Sequence, residues 1–197
     1  ENVLHYHRCK TPENTAMTDA LFAPYLSQWQ LQTDGDAIHT ASATLLPVRW
    51  QGLPAMLKIA KHAEEEQGYS LLQWWQGQGA ARVYARQGAA LLMERATPAR
   101  SLTTLSLTGD DDEAFRIACT VLTQLHTPKC AAINDAPPVT PLAQWFSALQ
   151  AYQPTSANDV LTTAQQTMLF LLATLQAPQY LHGDIHHHNI LDFGARG

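Results

Sequence analysis

Several familiar devices are missing from this chain, and each absence removes a class of protein. Its 197 residues contain three cysteines, Cys9, Cys119 and Cys130, with no CxxC pair. An odd, scattered set builds neither a disulfide framework nor a cysteine zinc site, so reduced thiols in a cytoplasmic setting are expected. The longest apolar run, Met168 to Ala173, is far too short to span a bilayer. No segment reads as a signal peptide. Charged residues are only 15% of the chain, and the net charge of -5 argues against nonspecific nucleic-acid binding. No GxGxxG phosphate loop occurs.

What remains is ample for a folded core, with 46% hydrophobic residues. Met17 to Trp29 has a helical apolar pattern that Pro24 is expected to bend or end. TDGD, Thr33 to Asp36, signals a turn. Ala41 to Val48 and Ala55 to Ala60 read as strands joined by a hairpin turn in RWQGLP. Glu64 to Trp75 suits a helix with Leu71, Leu72 and Trp75 on one side, stopped at GQG. Arg82 to Ala85 and Ala89 to Glu94 read as two more strands around a Gln-Gly turn.

After Pro98 the pattern becomes helical. Asp110 to Glu113 place negative charge at a helix N-terminus. Phe115, Ala118, Leu122 and Leu125 are the expected inward stripe, and Pro128 the expected stop. APPVTP reads as a loop, and Pro141 to Tyr152 as a short helix. Val160 to Leu175 reads as a longer helix with Leu161, Met168, Leu172 and Leu175 facing one way, closed by Pro178. The expected fold class is α+β: a sheet-rich lobe over residues 1–97 and a helical lobe over residues 98–197.

The chemistry concentrates in HGDIHHHN. Asp184 follows a glycine that lets the backbone bend sharply, and Asn189 lies five positions later. Phosphoryl transfer needs such a pair: one acceptor beside the attacking hydroxyl, and one neutral oxygen to help hold a magnesium ion. His186 is placed to stabilise charge on the transferred group. A nucleotide kinase also needs a strand lysine paired with a helix glutamate. AMLKIA offers Lys58. Among Glu64, Glu65 and Glu66, Glu65 shares a helix face with Leu72 and is expected to face Lys58, the other two forming a solvated run. ALLMERA resembles a hinge whose backbone groups at Glu94 and Ala96 could bond adenine, and Thr40 and Ser42 of HTASAT stand where a phosphate loop would.

LHGDIHHHNIL, QWWQGQGAARVY and GAALLMERA together resemble the aminoglycoside and hydroxyurea antibiotic resistance kinases, the streptomycin 6-kinase-like group, from about residue 31 to residue 197. Trp74, Gly77, Gly79, Ala80 and Arg82 match that group's W-x-x-G-x-G-A-x-R stretch, and its glutamate again falls on Glu65. The resemblance implies a protein kinase-like two-lobed fold, incomplete in its helical lobe. It also implies ATP and magnesium, and phosphate transfer to a hydroxyl of a small molecule. Streptomycin or a related metabolite is such an acceptor, and the acidic balance would suit a cationic one. Carried over, Asp184 is the catalytic base, Asn189 the metal ligand and Lys58 the phosphate-binding lysine.

The triplet Asp192-Phe193-Gly194 departs from the kinase pattern. Three residues after Asn189 leave no room for the hairpin that precedes a metal-binding DFG. It is read, with residues 195–197, as the hairpin turn itself, and the second metal ligand as absent from this chain. Two alternatives stand beside the kinase reading: a non-catalytic nucleotide-binding module, and a histidine metallohydrolase centred on His182, Asp184 and His186.

Overall fold

A computed structural model describes residues 12–96, 99–127, 137–153, 159–175 and 179–194, with side chains from residue 19 onward. Cys9, Cys130, Pro128, Pro178, residues 195–197 and the expected lobe boundary at Thr97 and Pro98 lie outside the described residues.

The chain opens with helix α1, Pro12–Gln28, which runs through Pro24. Of the expected bend or end at Pro24, the end does not occur: a proline removes one ladder bond, while Phe22 stays buried against the sheet, flanked by Tyr25 and Leu26. Two short strands follow, β1 (Gln32–Thr33) and β2 (Ile38–His39), then β3 (Ala43–Trp50) and β4 (Leu53–Ala60). Gln51 and Gly52 both take positive φ, the two-residue turn that suits the twist of a hairpin. β5 (Val83–Gln87) and β6 (Ala90–Glu94) complete an antiparallel sheet of order β1-β3-β4-β6-β5, with β2 also on β3.

β1 and β2 were not expected from the sequence, and their separation has a local cause. Both pair with β3, Thr33 opposite Val48 and Ile38 opposite Leu45, so the TDGD turn interrupts one edge strand. The Pro47 carbonyl accepts from the Asp34 N–H at 2.9 Å, so the vacant N–H position of the proline faces the same edge. No return bond is possible there, and the strand breaks.

Side chains alternate across β3 and β4. Leu46, Val48, Ala55, Leu57 and Ile59 face α1 in the main core, while Leu45, Met56 and Lys58 face the other way. On that second side lies α2, Ala63–Trp75. Its end is capped by Gln76 in the left-handed conformation, with Gly77 and Gly79 following at positive φ. A Cβ at position 79 would stand 3.0 Å from the Gln124 Cβ and 3.2 Å from the Leu125 side chain, so any side chain here would push on the next lobe as well as strain the backbone at φ +69°.

The helical lobe contains α3 (Leu102–Leu107), α4 (Asp111–His126), α5 (Leu142–Trp145), α6 (Ser147–Gln150) and α7 (Val160–Thr174). The sequence reading missed α3, although Ser101 is a recognisable N-cap, accepting from the Thr104 N–H. The expected stripe on α4 is corrected. Phe115 is 70% exposed, and the inward line is Ala114, Val121 and Leu125. Two overlapping helical stripes share Ala118 and Leu125, and hydrophobicity alone did not choose between them. The expected helix from Pro141 to Tyr152 is two single turns, α5 and α6, hinged at Phe146. Gln165 of α7 donates to the carbonyls of Leu149, Gln150 and Tyr152, satisfying the end of α6. On α7 only Met168 of the expected inward set is fully buried; Leu161 and Leu175 are exposed. Among the described residues no helix is long and apolar enough to cross a membrane.

Candidate active site

Lys58 and Glu65 form an ion pair on the cleft side of the sheet. β4 supplies the lysine through strand alternation, and the first turn of α2 supplies the glutamate. Glu64 is exposed, and Glu66 uses its backbone carbonyl to accept from Arg86 at 3.3 Å. Burial would raise the Glu65 carboxyl. The Lys58 ammonium and a hydrogen bond from Ser42 outweigh it, and the carboxyl is held below its usual range. The Lys58 Nζ also lies 5.9 Å from the centre of the Tyr69 ring, and the Arg86 guanidinium lies 5.7 Å from it. Burial first, then Glu65 and Glu66, push the Tyr69 phenol up.

Ser42 and Thr40 are committed locally. The Thr40 hydroxyl donates to the Ala43 carbonyl at 2.9 Å and accepts from its N–H at 3.0 Å, while Ser42 supports Glu65. Both residues line the cleft, yet their hydroxyls brace the loop and the ion pair. Lys61 donates to the Thr40 carbonyl and tightens the same turn.

α2 also anchors the HGD loop. Trp75 is fully buried and donates its indole N–H to the Leu125 carbonyl at 3.2 Å. His182 lies nearly parallel to it, with ring centres 6.2 Å apart, and Trp74 lies 4.9 Å from Tyr180. One helix therefore holds Glu65 at its start and the approach to Asp184 at its end. Desolvation lowers the His182 imidazole. Asp184 and Glu65 oppose that shift, and Lys58 and His186 add to it, so His182 feels both halves of the site.

Within the loop, Gly183 takes φ +80° and turns the chain at Asp184. Asn189 Nδ2 donates to both the Asp184 carbonyl and its carboxylate Oδ2, each at 2.9 Å. The Asn189 N–H donates to the His186 carbonyl at 2.9 Å. The Asp184 side chain is 72% exposed, with His186 Nε2 3.5 Å from Oδ2. The Asp184–Asn189 spacing thus closes a small ring of hydrogen bonds that presents a carboxylate to the cleft.

Asp192 is placed differently. Its carboxylate accepts from Arg100 Nε at 3.1 Å and from the Gly194 N–H at 2.8 Å, and both contacts lower its pKa, the glycine bond first. Leu191 beside it bridges Ser101. At the hinge-like segment, the Glu94 N–H donates to the Arg82 carbonyl at 2.8 Å, and its carboxylate accepts from the Arg82 N–H at 3.2 Å. Glu94 and Ala96 border the same cleft as Lys58 and Asp184. Sequence reasoning did not single out Asp34, whose carboxylate meets both Arg95 and Arg49; only its place in a turn signal marked it. His182 is turned onto Trp75, and among the described residues no three His, Cys, Asp or Glu side chains converge as a metal-binding group.

Comparison with known proteins follows the same lines. Residues 28–197 match the family described as aminoglycoside/hydroxyurea antibiotic resistance kinase. The chain is 44% identical over 172 residues to a streptomycin 3''-kinase of Klebsiella pneumoniae, covering 87% of this chain and 63% of that protein. It is 26% identical over 183 residues to a streptomycin 6-kinase of Streptomyces griseus, covering 87% and 57%. It is 29% identical over 180 residues to a hydroxyurea phosphotransferase of Kitasatospora aureofaciens, covering 86% and 51%. The chain therefore spans just over half to less than two thirds of the length of these relatives.

Proposed function

Starting from the fact that this chain belongs to the aminoglycoside/hydroxyurea antibiotic resistance kinase family, we propose that the protein transfers the γ-phosphate of ATP to a hydroxyl of a small molecule, an aminoglycoside such as streptomycin, and so inactivates it. The observation that carries this reading is the pairing of Lys58 with Glu65 across the cleft from the Asp184–Asn189 ring. Family membership leaves the histidine metallohydrolase without support.

Each residue has a role in this reading. Lys58, held by Glu65, meets the nucleotide phosphates as a point charge. Asp184 accepts the proton of the attacking hydroxyl; its exposure gives an acceptor direct access. Asn189 fixes the Asp184 carboxylate through its amide nitrogen, which turns a hard oxygen donor, Oδ1, to other use. That carbamoyl oxygen suits magnesium, which prefers oxygen ligands. Bound there, the ion would neutralise charge on the phosphates. His186, beside Asp184, adds a donor at the same edge. Glu94 and Ala96 supply backbone groups for the base, and Ser42 acts through Glu65. The lobes divide near residue 97, and the setting is cytoplasmic.

The test is phosphate transfer from ATP by the full-length protein across a panel of aminoglycosides and hydroxyurea. Transfer that disappears in Asp184→Ala while ATP still binds is the expected result. Transfer that survives Asp184→Ala refutes the mechanism. ATP binding with no transfer to any hydroxyl acceptor would instead favour a nucleotide-binding module.

A further inference from the structure

Asp34 and Arg95 belong to opposite parts of the sheet yet form an ion pair. Asp34 directly follows β1 and Arg95 directly follows β6, and the strand order β1-β3-β4-β6 puts two strands between them. Three strand spacings are about 14 Å. The side chains close that gap: Arg95 Nη2 donates to Asp34 Oδ2 at 2.6 Å. Arg49 Nε stands 3.5 Å from the other carboxylate oxygen.

The tie crosses the face that carries Lys58. Met56 is two residues before Lys58 on β4, so both point to one side. Met56 is the register partner of Pro47 and of Met93. Asp34 is bonded through its N–H to the Pro47 carbonyl, and Arg95 is two residues beyond Met93. The ion pair therefore borders the cleft two to four residues along the sheet from Lys58, toward the segment holding Glu94 and Ala96. A ligand with phosphates at Lys58 would carry its base and sugar toward this tie.

We infer that Asp34 and Arg95 are positioning residues for the base of the nucleotide. Arg95 sits between the two residues proposed to meet the base, so anchoring its side chain restricts the backbone on both sides of it. The inference rests on the nucleotide-binding reading given above. Removing the carboxylate releases Arg95 and leaves its guanidinium unneutralised at the cleft, with that of Arg49 nearby. The effect should therefore fall on the base and not on the phosphates.

Calorimetry on the full chain separates the two ends of the ligand. Adenosine probes the base and sugar, and inorganic tripolyphosphate probes the phosphates. In Asp34→Asn and Arg95→Gln, adenosine affinity should fall about tenfold, with no further fall in the double variant. Tripolyphosphate affinity should hold or tighten, Asp34→Glu should retain adenosine affinity, and KM for ATP should rise while kcat holds. Unchanged adenosine binding in the single variants overturns the inference. So does an additive double variant, or a parallel loss of both ligands. A wild-type protein that binds neither probe would refute the nucleotide reading itself, and the inference with it.

Discussion

The ring of His182 lies 13° from parallel with that of Trp75, and it joins the HGD loop to the helix that presents Glu65. Truncating the indole removes this platform, a buried hydrogen bond to Leu125 and the packing of Leu71 around it. Trp75→Ala should cost about 3–5 kcal/mol of stability, measured by denaturant unfolding. Trp75→Phe should cost less and leave the loop attached.

Glu65→Gln keeps the shape of the side chain and removes the charge that holds Lys58. The lost charged hydrogen bond corresponds to about 10–100-fold in nucleotide affinity. Titration of the full chain with ATP reads this directly. An unchanged affinity would mean that Lys58 is positioned by the Tyr69 ring alone.

The same carboxyl predicts a pH dependence. Its folded pKa lies below the ordinary 4.5, so the unfolded chain binds the proton more readily. Its contribution is fully present above 4.5 and is lost as pH falls through the lower, folded value. The melting-temperature difference between wild type and Glu65→Gln should be flat above that point and shrink below it.

Asp192 provides a discriminating case. Its carboxylate is engaged by Arg100 and by its own turn. Asp192→Asn should leave the magnesium dependence of transfer unchanged, whereas Asn189→Ala should raise the magnesium requirement. A magnesium titration of both variants decides whether the triplet is a turn or a ligand.

Gly79→Ala should destabilise the protein by about 1–3 kcal/mol, because it adds a Cβ at positive φ against Gln124 and Leu125. Thermal unfolding measures it.

The four longer strands and the Lys58–Glu65 pair were legible because they rest on short-range rules, whereas the two-residue strands β1 and β2 were not. Strand alternation put Lys58 on one face, and helical spacing chose Glu65 from three adjacent acids. The hairpin turns were marked by Gln-Gly. The helical lobe was less legible. Phe115 is the larger apolar residue yet is exposed, while its neighbour Ala114 is buried, so hydrophobicity pointed to the wrong face and only the tertiary packing of α4 decides which one turns inward. The second half of α7 is apolar on nearly every side, so the stripe read through Leu161, Met168, Leu172 and Leu175 found the buried position at Met168 alone. Pro24 does not end α1 because propensity describes an isolated helix, while α1 is held by its contact with the sheet. Asp34 escaped notice because its partners are distant in the chain, and no spacing rule reaches from residue 34 to residue 95.

The missing donor at Pro47 has one more consequence. A long, flat border strand is a template on which a second chain can add, the first step toward aggregation. Here that border is cut into two-residue pieces by a polar turn. The sheet thus resists growing sideways at this edge, and a single imino acid in the neighbouring strand supplies that protection.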